Sequence, residues 1–129
     1  MDDMYREIIL DHYKNPRNRG RLEPADISYE DDNPLCGDRV RIDIRLEGDR
    51  VKEIAFSGQG CAISQASASM LTEEVLGKTL AEVKQIDKQE VLEMMGLEQL
   101  GPTRIKCALL SLKVLKAGVY GLKGETDTE

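Results

Sequence analysis

The run from Val40 to Glu47, VRIDIRLE, alternates apolar and charged residues without a break. Val40, Ile42, Ile44 and Leu46 share one side of an extended chain and Arg41, Asp43, Arg45 and Glu47 the other. The pattern predicts a strand with one face against a core. Gly48-Asp49 follows as a turn, and a second strand carries Val51, Ile54 and Phe56 until SGQG ends it. With Gly48 and Asp49 as the two loop residues, Leu46 faces Val51, and Cys36 and Cys61 emerge side by side at the open end. Ile54 and Phe56 match Ile44 and Ile42 only if the second strand holds one extra residue, a bulge after Val51.

The rest of the chain reads mostly as helix. Met4, Ile8 and Ile9 recur at helical spacing within residues 2–14, Asp2 or Asp3 can cap, and Pro16 stops the helix. A loop, PRNRG, follows, and Ile27 to Tyr29 forms a short edge strand. Residues 62–76, AISQASASMLTEEVL, read as a helix whose Ala and Ser suit close approach to a neighbouring backbone. Thr79 and Glu82 make a capping box for a short helix, Asp87 to Met95 forms another, and a long helix runs from Thr103 to Tyr120. The polar tail, about 123–129, is expected to be disordered. A few antiparallel strands and then a series of helices define an α+β class, and 129 residues fit one domain, 1–129.

The formal net charge of −6 argues against a nucleic-acid partner, which would need a clustered excess of Lys and Arg. One local basic stretch, KNPRNRGR, reads as a solvated loop or as a docking patch for an acidic protein. No apolar run is long enough to span a bilayer, so no membrane is expected. The acidic start, MDDMYREIIL, has no signal or transit pattern, and the expected localisation is cytoplasmic.

The chain has three cysteines, Cys36, Cys61 and Cys107, none with another close in sequence. A reducing compartment would keep them as thiols. Gly37 allows a tight backbone between Cys36 and Asp38, and an extended segment there puts both side chains on one face. Cys61 opens a helix, where unpaired N–H groups favour an anionic sulfur, and Lys106 offers a similar service to Cys107. On the residues alone, Cys107 reads equally well as a buried structural thiol or as a ligand. Three thiolates and one carboxylate would suffice for tetrahedral zinc or for iron in a cluster. The spacing is unlike a zinc ribbon or finger, which uses local CxxC pairs.

The segments NPLCGD at 33–38, GQGCAISQASASM at 58–70 and RIKCALL at 104–110, together with HYKNPRNRG at 12–20, closely resemble the IscU/NifU-type iron–sulfur cluster scaffold family. The resemblance implies a small antiparallel three-stranded sheet covered on one side by helices. It implies that Cys36, Asp38, Cys61 and Cys107 form one site near solvent. It also implies a scaffold that takes persulfide sulfur from a cysteine desulfurase, builds a [2Fe–2S] cluster with iron there, and passes it to apo iron–sulfur acceptor proteins. Zinc is the alternative occupant, and the chain would be a monomer or a cluster-bridged homodimer. In this reading Cys107 is the persulfide acceptor, with Lys106 stabilising its thiolate, and Asp38 is the labile oxygen ligand. Scaffold and carrier, rather than enzyme, is the leading expectation, with sulfurtransferase activity as the alternative.

Two positions depart from the standard scaffolds. Lys106 stands where a histidine precedes the third cysteine, and LGPTR at 100–104 replaces the chaperone-recognition segment LPPVK. Lysine before the cysteine is similar to the SufU branch, whose members are zinc-dependent sulfur acceptors. SufU proteins also carry an insertion between the second and third cysteines that this chain lacks. The sole histidine, His12, falls in what the resemblance makes a surface motif and is not assigned as a ligand.

Overall fold

The computed structural model describes residues 3–33, 37–95 and 102–122. Along them run α1 (Asp3–Lys14), β1 (Ile27–Asn33), β2 (Asp38–Glu47), β3 (Arg50–Gln59), α2 (Ala62–Val75), α3 (Leu80–Gln85), α4 (Lys88–Met95) and α5 (Pro102–Leu122). The strands form an antiparallel sheet in the order β1-β2-β3. Val40, Ile42, Ile44, Ile54 and Phe56 are buried on one face. The helices supply Leu71, Val75, Val91, Met95, Val114, Leu115 and Val119 to the same core. This is the expected α+β sheet covered on one side by helices.

The hairpin register carries the bulge that the apolar pattern demands. Leu46 faces Val51, then the pairing slips, and Arg45 faces Glu53, Ile44 faces Ile54 and Ile42 faces Phe56. The slip returns Ile54 and Phe56 to the core face, because one residue of shift would turn every side chain over. Thr79 caps α3 as its sequence predicts, accepting from the Glu82 N–H while the Glu82 carboxylate accepts from the Thr79 N–H.

Two strand boundaries and the burial of one strand residue are corrected. β1 reaches Asn33 rather than Tyr29, since its acidic residues continue the backbone ladder along β2 as far as Asn33 opposite Asp38. β3 likewise runs on through Ser57, Gly58 and Gln59, which pair with Arg41, Val40 and Arg39. Asp43 is buried, not solvated. Its carboxylate is surrounded by the Ser28 hydroxyl, the Arg41 guanidinium at 3.0 Å and the Leu22 N–H at 3.3 Å.

The loop after α1 is fastened down. Asn18 accepts from the Phe56 N–H at 2.9 Å and Gly20 donates to the Phe56 carbonyl at 2.8 Å, so the loop adds a short rung beside β3. His12 is buried rather than on the surface, with Nδ1 2.7 Å from the Ser69 hydroxyl of α2. Arg17 donates its N–H to the same hydroxyl and pairs with Asp11 at 2.7 Å. Lys14 and Arg21 of the basic stretch are exposed. Among the described residues no helix is long and apolar enough to cross a membrane.

Candidate metal centre

The strand alternation that buries Val40, Ile42 and Ile44 also directs Asp38, at the start of β2, toward the helical layer. There it is fully buried. β3 ends at Gln59 beside Arg39, and the chain turns through Gly60 into α2. Cys61 is the N-cap of α2, in extended conformation, with its sulfur accepting from the Ser64 N–H at 3.5 Å. An anionic side chain at that helix start meets the unpaired N–H groups and the positive end of the helix dipole.

Cys61 and Asp38 are joined directly. The Cys61 N–H donates to Asp38 Oδ1 at 2.9 Å, and Cys61 Sγ lies 3.8 Å from Asp38 Oδ2. One carboxylate oxygen is therefore committed to the backbone, while the other faces the sulfur.

Cys107 arrives from α5. The Ala- and Ser-rich surface of α2 lets α5 pack closely, and the Ser67 hydroxyl donates to the Ala108 carbonyl at 2.5 Å and meets the Ser111 hydroxyl at 3.1 Å. That contact fixes the position of the first turns of α5 along α2. Ligand atoms of Asp38, Cys61 and Cys107 consequently lie within 4.8 Å of one another. Cys107 is 1% exposed, whereas Cys61 is a free, partly exposed thiol. Cys107 is held in a disulfide here, so its sulfur becomes a donor once reduced. Lys106 is exposed on α5. Cys36 lies outside the described residues, as do Leu100 and Gly101 of LGPTR and the tail 123–129.

The donor set fits a metal ion. Asp38 is a fully buried carboxylate that makes no ion pair among the described residues, and an uncompensated buried charge is costly. Two sulfurs within reach would add negative charge when ionised, which a divalent cation balances. Gly60 lets side chains of the site close onto the backbone there. A Cβ at that position would stand 2.5 Å from Asp38 Oδ1 and 2.6 Å from Ser64 Oγ. Soft sulfur together with a hard oxygen suits zinc or iron and disfavours magnesium or calcium.

Sequence reasoning does not single out Ser64 or Ser67. Their signal lies in helical spacing: Ser64 is one turn beyond Cys61, and Ser67 is a further turn along the same stripe. His12 takes no part in the cluster and instead ties α1 to α2.

Comparison with known proteins places these residues in context. The family described as NifU-like N terminal domain matches residues 4–129. The zinc-dependent sulfurtransferase SufU of Bacillus subtilis is 41% identical, over 96% of this chain and 95% of the relative. That alignment spans 141 positions, more than the 129 residues of this chain, so SufU holds residues with no counterpart here. The iron–sulfur cluster assembly scaffold protein IscU 1 of Archaeoglobus fulgidus is 36% identical, over 90% of this chain and 74% of the relative. The crystal structure of the N-terminal part of a nitrogen-fixing NifU-like protein from Brucella abortus superposes with a TM-score of 0.77 at 23% identity. It covers 97% of this chain and 98% of that one, a likeness of fold.

Proposed function

This chain belongs to the NifU-like N-terminal domain family, and from that membership we propose that it accepts sulfur from a cysteine desulfurase on behalf of iron–sulfur cluster assembly. Zinc would be held by Asp38, Cys61 and Cys107, with Cys36 as the remaining donor. The observation that carries this reading is the meeting of a fully buried carboxylate and two sulfurs from β2, α2 and α5. The near full-length likeness to a zinc-dependent sulfurtransferase, and Lys106 before the third cysteine, favour the zinc form over the cluster form.

Zinc, when bound, supplies the divalent charge that stabilises thiolates beside a buried carboxylate. The residues of the chain do the rest. A thiolate attacks the outer sulfur of the desulfurase persulfide. The sulfur–sulfur bond to the desulfurase breaks, its cysteine leaves as a thiolate, and the new sulfur–sulfur bond sits on this chain. Sulfane sulfur changes owner without net oxidation. Sequence reasoning gives the first persulfide to Cys107; burial favours Cys61, whose sulfur is a free thiol on the more exposed of the two described cysteines. The Ser64 N–H facing Cys61 Sγ steadies the anionic sulfur, and Asp38 holds the Cys61 backbone in place.

The test is a reduced, zinc-loaded protein added to a cysteine desulfurase and free cysteine. Alanine release should accelerate, and mass spectrometry should find one added sulfur on this chain. No acceleration and no added sulfur would refute the reading. A second reading, the scaffold, is favoured by the likeness to IscU 1. In it a [2Fe–2S] cluster is cargo on the same residues, bound for apo acceptor proteins. Anaerobic incubation with ferrous iron, desulfurase and cysteine would then yield a stable cluster spectrum with matching iron and sulfide.

A further inference from the structure

The first turn of α2 holds most of the unpaired buried polarity among the described residues. Among the described residues four buried side-chain nitrogen or oxygen atoms lack a hydrogen-bond partner; one is the Ser57 hydroxyl of β3, and the other three belong to Ser64 and Gln65. Ser64 is 1% exposed, and its hydroxyl is one of these atoms. A serine inside a helix commonly bonds back to a carbonyl one turn earlier. Ser64 does not: its hydroxyl makes no such bond, and the Cys61 carbonyl is taken by the Gln65 N–H at 3.0 Å. Buried hydroxyls are satisfied in the great majority of cases, so an orphan one calls for an explanation.

Its surroundings supply one. Ser64 Oγ and Asp38 Oδ1 both crowd the missing side chain of Gly60, lying 2.6 and 2.5 Å from the point where a Cβ would stand. The Ser64 N–H already faces Cys61 Sγ. One residue therefore stands against both the carboxylate and the thiol of the metal centre, with its hydroxyl uncommitted.

We propose that Ser64 is a positioning residue of this centre. Its hydroxyl turns to Asp38 Oδ1 when the metal is held, joining the Cys61 N–H there and leaving Oδ2 to face the metal beside Cys61 Sγ. The proposal rests on the metal-binding reading above. Fixed by two donors on one oxygen, the carboxylate is pre-set to bind through the other, as partners behind a ligand commonly arrange. The metal-free protein bears the cost, as an orphan hydroxyl.

That asymmetry gives the test. Reduced wild type, Ser64→Ala and Ser64→Thr are compared by zinc competition against a chromophoric chelator, by the visible spectrum of the cobalt-substituted protein, and by thermal midpoint without metal. Ser64→Ala should weaken zinc by about tenfold or more and shift the cobalt bands, while its metal-free midpoint stays equal or rises. Ser64→Thr, which restores the hydroxyl, should recover affinity and spectrum. Unchanged affinity and spectrum in Ser64→Ala would overturn the role. So would a loss of affinity tracking a fall in metal-free midpoint, because serine would then serve packing alone. A wild-type chain that binds neither metal removes the centre, and the function of Ser64 with it, a result distinct from normal binding by the alanine variant.

Discussion

Asp38 and Cys61 stand 23 residues apart in sequence and share a hydrogen bond of 2.9 Å, from the backbone N–H of the cysteine to Oδ1 of the aspartate. The bond ties the first residue of β2 to the cap of α2, so strand and helix cannot move apart without breaking it. Asp38→Asn keeps an acceptor for that N–H and removes the charge. The metal-free protein should lose little stability, because an unpaired buried charge is itself unfavourable. Zinc affinity should fall by at least about tenfold, since a neutral amide is a poor zinc ligand. Chelator competition together with urea unfolding of the metal-free form checks both halves.

Gly60 and Gly58 predict two different failures. A methyl group on Gly60 would meet Asp38 Oδ1 and Ser64 Oγ, both ends of short side chains. Gly60→Ala should cost about 1–3 kcal/mol, as overpacking usually does, and should lower metal affinity more than stability. Gly58 sits at φ +131°, with the Arg39 carbonyl oxygen 2.0 Å from where a Cβ would be. That contact is backbone and cannot turn aside. Gly58→Ala should give a chain that fails to fold or melts far below wild type, measured by circular dichroism, whatever metal is added.

Much of this was legible from the residues. The period of two in VRIDIRLE gave the strand, and the mismatch between Leu46–Val51 and Ile44–Ile54 gave the bulge, because both depend on local alternation. The cap at Thr79 was equally local. The approach of Cys107 was not: α5 is apolar on two sides, since it packs on the sheet and on α2 together, and periodicity alone could not choose which side faced the site. The contact that decides it, Ser67 with Ala108 and Ser111, pairs residues 41 and 44 apart. His12 read as surface because the family resemblance makes its region a surface motif. Its burial comes from Ser69, a partner 57 residues away.

Thr79→Ala removes the side-chain half of a complete capping box. The helix it starts, α3, is six residues long and has little intrinsic stability of its own. The substitution should cost about 1 kcal/mol, the usual worth of such a cap, read as a lower urea midpoint with unchanged slope. Zinc affinity should be untouched, because α3 contributes no residue to the metal centre.

His12 predicts a pH dependence separable from that of the carboxylates. Burial holds its imidazole below the ordinary value of 6.5, with Arg17 acting in the same direction and Glu73 and Asp11 opposing. In the unfolded chain histidine takes up a proton near pH 6.5; in the fold it resists, so the unfolded state binds more protons as pH falls through that region. Stability should be full above about pH 7 and decline toward pH 5. Asp11, Asp31 and Glu82 are lowered from ordinary values of 3.8, 3.8 and 4.5, so their contributions are lost only in more acidic solution. His12→Asn should flatten the decline between pH 7 and 5 while lowering stability at pH 7, through loss of packing between α1 and α2. Urea unfolding of the metal-free protein across that range measures it, with the metal left out so that ligand protonation does not contribute. A wild-type profile that stays flat from pH 7 to 5 would show that His12 is free to take a proton without disturbing the contact with Ser69.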